Sequence, residues 1–307
     1  MSDRAAIEAA YARISGRVRR TPVLELPAGA LGLAFPLALK LEQMQVSGTF
    51  KGRGAFHKLS VSRVPAAGVI AASGGNHGAA VAYAARALGH RAEIFVPTSS
   101  ASAKVERLRS YGAVVRQVGA VYAEARLACE ARAAETGALS IHAYEDPEVF
   151  HGAGTLALEF EGQAAFETLL VAVGGGGLIA GSALAVGHRA RVIAVETEGT
   201  PTLHAARAAG QPVDVAISGL AADALGATRI GTPNWEIARR LVAGSVLVTD
   251  DAVREAQRAL WRELRLIAEP AGAAGLAALM VGAYRPAPNE RVAAILCGAN
   301  TDPVSAA

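Results

Sequence analysis

Short apolar runs set between longer helical patterns constrain this chain more than any other feature. The runs at 37–41, 69–72, 92–96, 114–118, 169–173, 192–195, 246–248 and 292–296 are rich in Val, Ile, Leu and Ala. Helical patterns lie between them at 77–88, 103–111, 120–135, 178–186, 250–264 and 271–281. Strands this apolar, joined by helices, predict a parallel sheet covered on both faces. The expected fold is α/β, with two open, twisted parallel sheets. A small unit at 66–142 is expected as an insertion in a large one, 1–65 plus 143–307. The 33 glycines suit close helix–sheet packing.

Several partners are excluded at this level. Net charge is only +3, with Lys and Arg scattered among Asp and Glu, so no nucleic-acid face is expected. No run of about 18 apolar residues exists, so no membrane span is expected. The two cysteines, Cys129 and Cys297, are too few for a disulfide framework or a four-ligand metal site. Met1-Ser2-Asp3-Arg4 carries an acid and leads into a helical pattern instead of an apolar leader. A cytoplasmic setting is expected.

Three motifs carry chemistry. Lys51 sits in Val46-Ser47-Gly48-Thr49-Phe50-Lys51-Gly52-Arg53-Gly54-Ala55. A lone lysine is ordinarily a surface residue. Here the surrounding glycines permit close backbone approach, and Phe50 could lie flat on an aromatic ligand. Ser73-Gly74-Gly75-Asn76-His77-Gly78 follows a strand and opens a helix. Capping would account for one polar side chain, not this whole set; a helix start with several donors suits an anion such as a carboxylate. Gly174, Gly175, Gly176 and Gly177 join a strand to a helix and can turn successive N–H groups toward a phosphate. No Lys-Ser/Thr follows, so this is not a Walker loop. An amine, a carboxylate cradle and a phosphate cradle together match pyridoxal 5'-phosphate, an aldehyde with a phosphate.

A rival reading uses the same glycines. Gly175-Gly176-Gly177-Leu178-Ile179-Ala180 fits G-x-G-x-x-G/A, and Glu196 lies nineteen residues beyond Gly177, where a ribose-binding acid belongs. An NAD(P)-dependent oxidoreductase would follow, leaving Lys51 and the 73–78 loop without a role. Cys297 closes the run 292–296, as a small hydrophobe or a ligand contact.

These residues resemble the serine/threonine dehydratase and serine racemase group of fold-type II, tryptophan-synthase-β-like pyridoxal-phosphate enzymes. The likeness runs from Arg20-Thr21-Pro22-Val23 to Cys297-Gly298-Ala299-Asn300. It implies that Lys51 is the Schiff-base lysine and that Gly174, Gly175, Gly176, Gly177 and Leu178 hold the phosphate. It puts Asn76 on the ring hydroxyl oxygen, Cys297 against the pyridine nitrogen, Phe50 and Ala224 on the ring faces and Glu269 near the ring. Ser73, Gly75, Asn76 and His77 would hold the substrate carboxylate. Metal-bearing relatives place a Glu, a backbone carbonyl and an Asp at the positions of Glu196, Thr200 and Thr202. A divalent or monovalent cation is therefore a candidate, although Thr202 lacks the carboxylate. Where the racemase carries its second acid/base serine, this chain has Gly74.

The implied reaction is α,β-elimination on a small β-hydroxy amino acid, with Lys51 as base. Threonine would give 2-oxobutanoate and ammonia, and serine pyruvate and ammonia. Racemisation, or dehydration of 3-hydroxyaspartate or phenylserine, are the alternatives within the group. The likeness further implies a homodimer. With no regulatory segment after Ala307, a catabolic role is expected.

Overall fold

In the computed structural model, which describes residues 3–302, the apolar runs form strands and the patterns between them form helices. Helix α1 (Asp3–Ile14) precedes β1 (Val23–Leu26), β2 (Leu37–Lys40) and α2 (Lys51–Val61). There follow β3 (Val69–Ala72), α3 (Asn76–Ala87), β4 (Ala92–Val96), α4 (Ser102–Ser110), β5 (Val114–Gln117), α5 (Tyr122–Thr136) and β6 (Leu139–Ser140). The chain continues with α6 (Pro147–Glu161), β7 (Thr168–Ala172), α7 (Gly177–Val186), β8 (Arg191–Thr197) and α8 (Thr202–Ala209). The last elements are α9 (Ala222–Leu225), α10 (Thr232–Leu241), β9 (Val242–Val248), α11 (Asp250–Ala259), α12 (Pro270–Met280) and β10 (Val292–Ile295).

Two sheets result. One has the order β1-β2-β10-β7-β8-β9 and the other β5-β4-β3-β6. Only β1–β2 is antiparallel; every other pairing is parallel, with Val292 opposite both Leu37 and Thr168. Both β3 and β7 are followed at their carboxyl ends by the glycine-bearing loops that start α3 and α7. Helix α7 is buried along its whole length, as a helix apolar on all sides must be. It crosses α6 at the closest approach backbones allow: a Cβ on Gly181 would lie 2.2 Å from the Phe150 carbonyl oxygen. Among the described residues no helix is long and apolar enough to cross a membrane.

The second sheet draws its core from beyond 66–142. Ala55, Phe56 and Leu59 of α2 and Val149 of α6 pack with Val69, Ile94 and the alanines of α3. Helix α2 was not expected, because Gly52 and Gly54 weaken helix propensity. Packing overrides propensity there: a Cβ on Gly54 would lie 2.7 Å from the Val149 carbonyl oxygen. Strand β9 is longer than expected, because Gly244 and Ser245 break the apolar signal and a register shift falls at Val192/Ile193. The expected helix 250–264 changes to a π turn at Leu260–Leu264 and stops at Arg265, whose φ is 56°.

Beneath α2 lies a cluster of four buried charges. Arg53 Nε and Nη2 donate to Glu42 at 2.6 and 3.0 Å, and Nη1 and Nη2 to Glu159 at 3.2 and 3.1 Å. Lys40 Nζ donates to Glu159 Oε1 at 2.6 Å, to the Thr21 carbonyl at 2.7 Å and to Gln163 at 2.5 Å. Arg53, Lys40 and Glu42 are 0% exposed, so each charge depends wholly on its partners. Burial alone would raise the Glu159 carboxyl, but Arg53 and Lys40 together hold it below the usual range. Removing one member of a buried pair strands the other charge. Glu159→Ala is expected to lower unfolding stability by about 3–5 kcal/mol. Urea denaturation monitored by circular dichroism checks this, and a loss under ~1 kcal/mol would show that the cluster does not hold α2.

Candidate active site

Lys51 opens α2, and the residue before it is tied to the end of the first sheet. The Phe50 N–H donates to the Cys297 carbonyl at 3.0 Å, and Thr49 bridges Gly298. Lys51 Nζ donates to the Ala143 carbonyl at 2.9 Å and lies 5.2 Å from the Phe50 ring centre. Burial pulls its amine down to about 8, against the opposing pull of Cys297 and Glu269. Such a lysine is still mostly protonated at neutral pH, but it carries a far larger neutral fraction than an ordinary lysine.

One cavity joins Lys51, the glycine loop and, from the 73–78 motif, Asn76, while Ser73, Gly75 and His77 lie outside its lining. Phe50, Lys51, Asn76, Gly174, Gly175, Gly176, Gly177, Leu178, Ala224, Glu269 and Cys297 line it, together with Tyr144, Ala172, Leu225 and Ala271. The sequence therefore found most of its walls. Gly176 is the N-cap of α7, with φ 91°, and no side chain caps that helix. Helix α3 likewise starts at Gly75 without a side-chain cap. The carbonyls of Gly174 and Gly175 point out of the cavity: Thr202 Oγ1 donates to the first at 2.6 Å, Asn234 Nδ2 and the Gly231 N–H to the second at 2.8 and 3.1 Å. A trans peptide turns its N–H opposite to its carbonyl. The next N–H groups therefore face inward, at the positive end of α7. An amine, an inward N–H cradle and apolar walls fit a phosphorylated aromatic aldehyde.

The polar wall is a chain of side chains. Asn300 Nδ2 donates to the Ser47 carbonyl at 3.0 Å and to Asn76 Oδ1 at 2.6 Å, and Asn76 Nδ2 donates to Glu269 Oε1 at 2.7 Å. One Asn76 amide hydrogen remains for a ligand. Burial raises the Glu269 carboxyl to about 7, with Asn76 opposing. Burial also pushes the Cys297 thiol far above its usual range, so it stays neutral. Ser73 Oγ accepts from the Gly75 N–H at 3.3 Å and keeps its own proton to donate.

Three expectations change. The side chain of His77 is not turned to a ligand: its ring Nε2 bonds the Ile141 carbonyl at 2.9 Å, and burial, then Lys51, holds it neutral down to about 3. It anchors α3 to the end of β6. Glu196 is 0% exposed, and its carboxyl accepts from Leu203 N at 2.7 Å, His204 N at 2.8 Å and the Ser245 hydroxyl at 3.2 Å, with Thr202 Oγ1 also 3.2 Å away. It organises the start of α8, so it reaches neither a ribose nor a cation. The Thr200 carbonyl accepts from Thr202 N at 3.1 Å, and Thr202 spends its hydroxyl on Gly174. With a hydroxyl in place of the second carboxylate, that donor set does not fit a divalent ion. Among the described residues no group of three or more His, Cys, Asp or Glu could hold a metal.

Sequence reading did not find Tyr144, Leu225 or Asn300. The Tyr144 ring lies on the glycine loop, 2.3 Å from where a Gly175 Cβ would sit, and its edge meets His142 at 4.8 Å between ring centres. Nothing local in His142-Ala143-Tyr144-Glu145 signals this contact, which depends on two remote segments meeting. Asn300 stands directly after a strand end, the one signal that could have placed it.

The profile of the family described as "Pyridoxal-phosphate dependent enzyme" matches residues 14–298. The L-threonine ammonia-lyase of Geobacter sulfurreducens is 37% identical over 280 residues, covering 89% of this chain and 70% of that one. The phenylserine dehydratase of Ralstonia pickettii is 36% identical over 310 residues, covering 98% and 94%. The solved structure of maize serine racemase superposes with a TM-score of 0.90 at 32% identity, covering 98% of this chain and 94% of that one. The fold is that of the tryptophan-synthase-β-like, fold-type II enzymes.

The low position of the Lys51 amine has a direct consequence. In cofactor-free protein its reaction with an amine-directed reagent is expected to rise with pH about a midpoint near 8. Below that the amine is protonated and inert; above it the lone pair is free. Peptide mapping of Lys51 labelling against pH measures it. A midpoint at the ordinary lysine value, roughly 10.4, would mean that the amine is not desolvated.

Proposed function

This chain belongs to the pyridoxal-phosphate dependent enzyme family, and from that premise we propose that it dehydrates small β-hydroxy amino acids, L-threonine and L-serine first. The observation that carries the reading is the meeting of the desolvated Lys51 amine and two uncapped helix starts around one cavity. Lys51 would hold the cofactor, the N–H groups of 174–177 its phosphate, and Phe50, Ala224 and Cys297 its ring. When bound, the cofactor supplies the electron sink that acidifies the substrate Cα proton.

This chain's residues do the rest. The start of α3, with Ser73, Gly75 and Asn76, holds the substrate carboxylate and turns the Cα–H toward Lys51. Lys51 Nζ takes that proton as general base. The neutral Cys297 thiol places no strong acid at the ring nitrogen, which favours prompt departure of the β-hydroxyl over a long-lived carbanion. Water then completes conversion to a 2-oxo acid and ammonia. Both cysteines are buried and free, consistent with a reducing, cytoplasmic setting. A homodimer completes the reading by likeness to the group. Light scattering giving the 31.3 kDa of one chain would remove that element.

A panel of L-threonine, L-serine, phenylserine and 3-hydroxyaspartate with oxo-acid detection tests the reading. Release of 2-oxobutanoate or pyruvate is expected to exceed product from the other two. Lys51→Ala is expected to lose the visible absorption of the holoenzyme and at least about 10²-fold in turnover, the low end for a positioned proton carrier. Normal turnover in that variant would end the assignment.

Racemisation needs a proton carrier on each face of Cα, and Gly74 supplies no side chain for the second. A Cβ at Gly74 would meet Val96 Cγ1 at 3.4 Å and Ser100 Oγ at 3.6 Å, so a serine fits there. The unmodified protein is expected to form D-serine at least roughly tenfold more slowly than pyruvate, given the 10²–10⁴-fold worth of a positioned proton carrier. Gly74→Ser is expected to raise the racemisation share. Chiral chromatography beside pyruvate release measures both, and equal rates in the unmodified protein would reveal another residue on that face.

A further inference from the structure

The aim of the glycine loop is set from outside the cavity. Gly174 and Gly175 lack side chains, so nothing on them fixes which way their peptides face. Two buried side chains from different helices do this instead. Thr202, at the start of α8, donates its hydroxyl to the Gly174 carbonyl at 2.6 Å. Asn234, on α10, donates to the Gly175 carbonyl at 2.8 Å and to the Tyr144 carbonyl at 3.0 Å. Both residues are 0% exposed and neither lines the cavity, so neither reaches a bound molecule.

We propose that Thr202 and Asn234 are positioning residues that aim the Gly175 and Gly176 N–H groups at the cofactor's phosphate, with Glu196 holding Thr202 in place. Each peptide plane is rigid, so pinning a carbonyl outward turns the following N–H inward. The Thr202 hydroxyl has one proton, and the 2.6 Å contact to Gly174 claims it ahead of the 3.2 Å contact to Glu196. Glu196 acts through the helix: its two oxygens take the Leu203 and His204 N–H groups at 2.7 and 2.8 Å and so fix the first turn that carries Thr202. Asn234 secures two things at once. It fixes the Gly175 peptide, and it fixes the backbone of Tyr144, whose ring lies over that peptide. The loop is therefore preorganised by ordinary hydrogen bonds between neutral groups and one buried carboxyl.

The inference rests on the cofactor assignment, and the test separates the two. Apo protein is titrated with pyridoxal 5'-phosphate and, separately, with pyridoxal, which has the aldehyde and ring but no phosphate. Thr202→Val, which leaves the buried Gly174 carbonyl unpaired, is expected to weaken binding of the phosphorylated compound roughly tenfold, and Asn234→Leu, which leaves the Gly175 carbonyl to the Gly231 N–H alone, is expected to weaken it severalfold. Pyridoxal binding is expected to stay within about twofold of the parent, since the lost hydrogen bond acts only at the phosphate loop. Thr202→Ser, which restores the hydroxyl, is expected to recover most of the loss. Unchanged affinity for the phosphorylated compound in both variants would overturn the inference. Equal loss for both compounds would also overturn it, because that marks general damage instead of a misaimed loop. A parent protein that binds neither compound would bring down the cofactor assignment and this inference together.

Discussion

The pairing of Arg53 with Glu42 and Glu159 decides where the reactive lysine stands. Arg53 is two residues after Lys51 on α2, and its guanidinium is wholly buried beneath that helix. A buried guanidinium without partners would cost several kcal/mol, so the helix can settle only where both carboxylates are met. Glu42 comes from the turn after β2 and Glu159 from α6, and Lys40 on β2 closes the set. Two positive and two negative charges thus lock sheet, α2 and α6 into one arrangement. Such clusters are weak contributors to net stability, but a buried charge tolerates only the arrangement that supplies its partners. Here the geometry selected is the pitch of α2, and hence the direction of the Lys51 amine.

The cavity that receives that amine disfavours full charge. Lys51 is drawn down to about 8 and Glu269 up to about 7, both first by burial. His77 and Cys297 stay neutral for the same reason. Beside the titratable Lys51 amine, the site's positive potential comes from two helix starts, which cannot be titrated away and which no side chain caps. An anionic phosphate and an anionic carboxylate would enter a pocket whose fixed dipoles face them and whose one basic amine gives up its proton more readily than an ordinary lysine. Preorganised dipoles of this kind cost no reorganisation when charge moves.

The central strands were legible because they are buried on both faces and read as apolar runs, as at Val69–Ala72 and Ala92–Val96. The two glycine loops were legible because capping cannot explain so many special residues at a helix start. Helix α2 was not, since its glycines argue against a helix until Val149 of α6 is known to press against Gly54. Strand β1 was missed because four residues with one acid carry little pattern. Tyr144, Asn234 and Asn300 work through contacts with segments far away in sequence, and no local spacing announces such meetings.

Glu196 shows how one buried acid can satisfy several motif readings and perform none of them. At the end of a parallel strand it could face a ribose, a cation or nothing, and the residue type alone does not choose. Counting its hydrogen bonds does. Two helix N–H groups and the Ser245 hydroxyl donate to the carboxyl, so its hydrogen bonding is met from within the chain. The same count explains why a threonine suffices at position 202. A carboxylate there would face Glu196 across a dry interior and would need a cation between them. A hydroxyl needs none, is neutral, and can donate to the Gly174 carbonyl, which a carboxylate cannot do when ionised. The threonine therefore makes this place a hydrogen-bonded brace for the glycine loop, and the groups that touch the loop carbonyls are uncharged.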